Sequence, residues 1–132
     1  MHGFFGPIEQ DTLQNSNFRQ VVYTSKHLQL VLMTIPPSGE IGLETHQEND
    51  QFFRFEAGEG RVLIDGHEYL VSDGDAIIVP AGAEHNIINI SATQELKLYT
   101  IYTPPHHKDG IVRATREEAE DNEQEFDGQT TE

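Results

Sequence analysis

Between residues 20 and 102 the apolar positions fall in short runs, not at the three-and-four spacing of a helix. The runs are Gln20–Thr24, Leu28–Ile35, Gln51–Phe55, Gly60–Ile64, His67–Val71, Ala76–Val79, Asn86–Ile90 and Leu96–Tyr102. Each is rich in Val, Ile, Leu, Phe or Tyr and is bounded by Gly, Pro, Asp or Asn, the punctuation expected of strands and turns. Asp65-Gly66, between VLI and HEYLV, predicts a two-residue hairpin, because a type I′ turn needs positive φ at both positions. Pro36-Pro37-Ser38-Gly39 and Pro80-Ala81-Gly82 mark two further turns. Many short strands at this spacing predict an all-β sandwich or barrel.

The ends of the chain read differently. Residues 1–19 form an N-terminal arm, 20–105 the barrel and 106–132 a C-terminal extension. From Glu117 onward there are eight acidic residues and no basic one. With Phe126 as its single aromatic, that stretch offers little surface to bury against the entropy of ordering. Thr115 and Glu118 have the spacing of a capping box. The expectation is a short helix starting there and fraying into a partly disordered, solubilising tail.

Length and composition narrow the class. The 132 residues suit one domain. A net charge of −15 argues against nucleic acid and anionic membrane surfaces as partners. Without cysteine there are no disulfides, thiolate metal sites or cysteine nucleophiles. No apolar run approaches the length of a membrane span and Met1–Gln10 lacks a signal-peptide layout, so a soluble cytoplasmic protein is expected.

Two segments carry candidate chemistry. Glu44 and His46 are two apart, so on a strand they share a face. Inside a barrel, a carboxylate beside an imidazole is costly unless the two are paired or hold a cation. In the second segment His85 follows the Pro80-Ala81-Gly82 turn at the start of a strand.

The second segment fits the pattern G-x5-P-x-G-x2-H-x3-N at Gly74, Pro80, Gly82, His85 and Asn89, the second motif of the cupins. The first resembles the other cupin motif, G-x5-H-x-H-x4-E-x6-G, with Glu44 at the first His, His46 at the second, Gln51 in place of Glu, and Gly58 in register. The opening glycine is displaced by one, to Gly39. The chain therefore resembles the small single-domain cupins, and specifically a subgroup with a Glu-x-His, Gln and His pattern often labelled mannose-6-phosphate isomerase-like.

That resemblance implies a jelly-roll barrel (a double-stranded β-helix) with a short C-terminal helix and tail. It implies one divalent metal ion, Fe, Mn, Zn, Ni or Co, held by Glu44, His46, Gln51 and His85. Gln51 offers only an amide oxygen, so it either coordinates or orients a water or ligand. The activity implied is isomerase-like or dioxygenase-like chemistry on a small molecule in the lumen. The alternative is a non-catalytic, metal-stabilised cupin that binds or senses a small ligand. Cupins commonly dimerise through one sheet, and LVLMTI with the arm before it would supply the surface of a homodimer.

The remaining polar residues are expected to play plainer parts. Glu48 and Asp50 cap an exposed turn, with an extra acid the alternative for Glu48, and His67 lies on the surface. His106 and His107 belong to a solvated exit segment, the alternative being that they gate the barrel mouth. Arg54 binds an anionic ligand only if it faces the lumen. Of the basic residues, Arg54, Arg61 and Lys97 lie in or beside the expected strands, which is a sparse supply for a phosphate. Tyr99 shares a face with Ile101 and Tyr102 looks the other way.

Overall fold

The computed structural model describes residues 1–132. In chain order the elements are α1 (Ile8–Gln14), β1 (Arg19–Thr24), β2 (Gln29–Ile35), β3 (Glu44–Thr45), β4 (Asp50–Ala57), β5 (Glu59–Ile64), β6 (His67–Ser72), β7 (Ala76–Val79), β8 (Glu84–Asn89), β9 (Leu96–Thr103), β10 (Val112–Arg113) and α2 (Arg116–Asp121). They form a six-stranded sheet in the order β10-β1-β2-β9-β4-β7 and a four-stranded sheet in the order β3-β8-β5-β6. Every pairing is antiparallel, and the two sheets enclose one core, an all-β jelly roll.

Alternation decides which side chains enter the lumen. On β9, Leu96, Leu98, Thr100 and Tyr102 are buried, while Lys97, Tyr99 and Ile101 lie on the other face. On β4, Gln51, Phe53 and Phe55 point inward and Arg54 points out. Arg54 pairs there with Glu56 at 3.1 Å, so it is not a lumen anchor. Phe53, Phe55, Val62, Ile87 and Leu98 fill the lower part of the barrel and are almost fully buried.

Strand β2 breaks the alternation, since all seven of its residues are buried. The cause is α1, which packs across β2, β4 and β9 from outside. Thr34 Oγ1 donates to the Asn15 carbonyl at 2.7 Å, and Lys97 Nζ reaches the same oxygen. The outer face of LVLMTI is thus covered by the chain's own arm. Apolar surface remains at Phe5 and Ile78.

Turn chemistry agrees with local sequence. Asp65 and Gly66 have φ of 45° and 81°, as a type I′ hairpin requires. Thr115 caps α2 by accepting from Glu118 N–H at 3.1 Å. The returning bond of the capping box is displaced by one residue, because Glu118 Oε2 accepts from Ala114 N–H at 2.8 Å.

The C-terminal segment runs back over the barrel. Lys108 N–H donates to Gln124 O and Phe126 N–H to His106 O, each at 3.0 Å. Thr131 N–H donates to Thr24 O at 2.9 Å. These backbone bonds lay residues 122–132, whose composition suggests a solvated end, along the mouth and the β1–β2 turn.

Candidate metal centre

The two motif segments meet through backbone bonds. Gly82 N–H donates to His46 O at 2.9 Å, and Asp50 Oδ1 accepts from Ala81 N–H at 2.8 Å. The Pro80–Ala83 turn is closed by Ala83 N–H to Pro80 O at 3.1 Å, with Gly82 at φ 90°. This turn launches β8 so that His85 enters the lumen, where it is 2% exposed. Opposite it lies Glu44, its direct partner in the β3–β8 ladder. His46 follows at the end of β3.

Glu44, His46 and His85 bring one donor atom each to within 4.8 Å of one another. Glu44 Oε1 is 3.3 Å from His46 Nε2 and 3.9 Å from His85 Nε2. Donors sharing an ion at bonds of ~2.0–2.2 Å stand roughly 3–4 Å apart, so the spacing suits a metal.

Tautomer and orientation also fit. His85 Nδ1 lies 3.0 Å from Ala83 O, which can only accept, so the ring proton sits on Nδ1 and the Nε2 lone pair faces the lumen. His46 Nε2 and His85 Nε2 are buried without a hydrogen-bond partner; the 3.3 Å contact of His46 with Glu44 is off the hydrogen-bond direction. Buried polar atoms are rarely left so, and three here face one space.

The third of these is Gln51 Oε1. Gln51 is 2% exposed, and its Nε2 donates to Thr100 Oγ1 at 3.0 Å, which turns the amide oxygen away from the wall. Gln51 pairs with Tyr102 across β4 and β9, and the Tyr102 ring lies 5.8 Å from that of His46. The amide oxygen therefore belongs to the same end of the lumen as the imidazoles.

Electrostatics favour an ionised carboxylate. Burial alone would raise the Glu44 pKa, but contact with His46 and the nearby His85 and Arg19 leave it below the usual carboxylate value. Burial raises the Tyr102 hydroxyl, so it stays protonated. Burial and then the neighbouring His46 lower His106 to about 4.

His106 and His107 are not in a solvated exit segment. His106 lies 4.3 Å from the His46 ring and stacks on Tyr102 at 5.3 Å. His107 is buried, with Nε2 3.2 Å from Tyr102 Oη. Gln29 holds both: its Oε1 accepts from His106 N–H at 3.1 Å and His107 N–H at 2.9 Å, and its Nε2 donates to His107 O at 2.7 Å. A buried polar Gln29 opening a mainly apolar strand is the sequence signal for this clamp. Arg19, assigned by sequence to the arm, opens β1 and borders a cavity with Glu44, His106 and His107. His67 and Glu48 are exposed; Asp50 bonds the Pro80–Ala83 turn, while Glu48 caps nothing.

The family profile described as "Cupin domain" matches residues 31–102. An uncharacterized protein of Acanthamoeba polyphaga mimivirus is 41% identical over 112 residues, covering 83% of this chain and 70% of the relative. The uncharacterized protein YrkC of Bacillus subtilis is 44% identical over 118 residues, covering 85% of this chain. This chain spans 63% of YrkC's length. The crystal structure of BH2720 from Bacillus halodurans superposes with a TM-score of 0.88 at 40% identity, covering 92% of this chain and 98% of that one. No helix is long and apolar enough to cross a membrane. With the barrel, the two motif segments and these likenesses in agreement, the chain belongs to the cupin domain family.

Proposed function

We propose that this cupin binds one divalent metal ion through Glu44, His46, His85 and the Gln51 amide oxygen, and acts on a small molecule at the mouth of the lumen. The observation that supports it is the convergence of a carboxylate with two imidazole nitrogens and an amide oxygen that are buried and unpartnered. Two imidazoles and one carboxylate suit Fe(II), and Mn, Ni, Co or Zn also fill such a set. A bound ion would supply Lewis acidity toward a carbonyl or enediol oxygen, or an open position for dioxygen. The chain's own residues do the rest. Ala83 O fixes the His85 tautomer, Thr100 orients Gln51, and His106, kept neutral, packs its imidazole beside His46 at the mouth.

A second reading is a metal-stabilised cupin without catalysis. It is favoured by the way the C-terminal segment narrows the mouth, leaving a cavity of about 60 Å³ beside Glu44. His85→Ala separates the two. Loss of metal uptake with a melting temperature near wild type supports a working site; an unfolded variant supports an architectural ion. Turnover of mannose 6-phosphate, or dioxygen uptake, by protein loaded with Fe(II), Mn(II) or Zn(II) then selects the reaction class. A cytoplasmic homodimer remains part of the proposal, with exposed Phe5 and Ile78 as apolar contact surface; a 14.9 kDa species in light scattering would overturn the dimer.

A further inference from the structure

Arg19 and Arg113 are direct partners across β1 and β10, and both border the cavity that reaches Glu44. Like charges opposite one another in a ladder cost stability, so each needs compensation. Arg113 has it: Nη2 donates to Asn122 O at 2.8 Å and Gln124 Oε1 at 3.3 Å. Arg19 does not. Its Nε is buried without a partner, and its guanidinium forms no ion pair. Its close neighbour is the Phe18 ring, 5.5 Å away. The Nε atoms of Arg54 and Arg116 also lack a hydrogen bond, but each reaches a carboxylate, Glu56 and Glu120. Arg61 shares the unpartnered Nε and does not border this cavity, so Arg19 is set apart by its place beside Glu44. Glu123 and Glu125 border the same cavity, yet neither pairs with Arg19.

An idle guanidinium at the mouth of a carboxylate–imidazole cluster is a fork waiting for an oxyanion. Cavity size sets the scale. About 60 Å³ holds roughly four waters, room for a small acid only. The acidic neighbours Glu44, Glu123 and Glu125 select against a multiply charged ligand such as a phosphate ester.

We propose that Arg19 is the anion anchor of the site, receiving the carboxylate of a small 2-oxo monocarboxylate whose keto oxygen reaches the space framed by Glu44, His46 and His85. This names the ligand class for the function proposed above and rests on that reading for the keto contact. The carboxylate contact rests on Arg19 alone.

The probes are pyruvate and its neutral amide, titrated calorimetrically into Zn(II)-loaded wild type, Arg19→Gln and Arg19→Lys, with metal content and melting temperature recorded for each. Pyruvate is expected to bind wild type at least tenfold more tightly than the amide. Arg19→Gln is expected to weaken pyruvate at least tenfold with metal content unchanged. Arg19→Lys, which keeps the charge and loses the fork, falls between; if Arg19→Gln fails to fold, Arg19→Lys decides. Equal pyruvate affinity in wild type and variants, or no pyruvate binding to metal-loaded wild type, overturns the proposal. If wild type takes up no metal, the metal reading fails separately. Arg19-dependent pyruvate binding to that protein still supports the anchor, and its absence overturns it.

Discussion

Glu44 and His85 stand directly opposite each other on β3 and β8, with Glu44 Oε1 3.9 Å from His85 Nε2. Strand β3 has only two residues, so its position is set by what ties it to β8. Ile41 N–H donates to Ile87 O and Gly42 N–H to Asn86 Oδ1, both at 2.9 Å. Asn86 thus places the Glu44 carboxylate without touching the ligand space.

Asn86→Ala should therefore weaken metal binding by roughly tenfold, the effect typical of losing an outer-shell support. Competition against a chromophoric chelator measures it. Unchanged affinity would show that β3 is held in place without this bond.

Gln51→Glu tests the amide oxygen. A carboxylate there is buried with one partner, Thr100, so metal-free protein should lose about 1–3 kcal/mol of stability. Saturating metal should restore it, since the new charge would face the ion. Urea denaturation with and without metal reads both numbers, and a loss that metal leaves unchanged would remove Gln51 from the ligand set.

Two glycines of the motif segments differ in what they do. A Cβ at Gly58 would meet Glu95 O at 2.5 Å and the Leu96 Cα at 3.0 Å, on a backbone with φ 90°. Gly74 has φ 92° with nothing within 4 Å. Gly74→Ala should cost about 1–2 kcal/mol, the left-handed backbone penalty alone. Gly58→Ala should cost more than ~3 kcal/mol, because backbone atoms must move. Equal losses in urea denaturation would contradict the packing described here.

Much of this was legible in the sequence. Ala76–Val79 is a strand at the residues where the pattern places it, and the other seven predicted strands are displaced by two residues at most. Alternation correctly sends Tyr99 and Tyr102 to opposite faces. What escaped was short or non-local. Strand β3 exists through its pairing with β8, β10 through its pairing with β1, and neither has a run long enough to show a period. Helix α1 has seven residues and no side-chain cap. His106, His107 and Arg19 reach the site through Gln29 and the β1–β10 ladder, contacts that join distant parts of the chain. Asn89 is legible as a motif position but not in role: its Nδ2 donates to Ile35 O, Pro36 O and Gln94 O, which makes it a loop clip beside the barrel.

Acid should loosen the mouth. His106 is lowered to about 4 and His107 well below 6.5, burial being the largest cause for each, followed by His46 for the first and Arg19 for the second. The unfolded chain, with histidines near 6.5, binds more protons in this range, so their contribution is complete above pH 6.5 and is lost as pH falls toward 4. The melting temperature of chelator-treated protein should drop across that window, and His107→Gln should drop less. A variant that tracks wild type would show that His107 is not a source of the acid sensitivity.

The central claim is that Glu44, His46, His85 and Gln51 hold one metal ion. Elemental mass spectrometry of purified protein, wild type beside the double variant Glu44→Ala/His85→Ala, tests it most directly. The account predicts about one divalent ion per wild-type chain, in keeping with a single cluster of donors, and none in a folded double variant. Wild type that stays empty after reloading, or a double variant that keeps its ion, would contradict it.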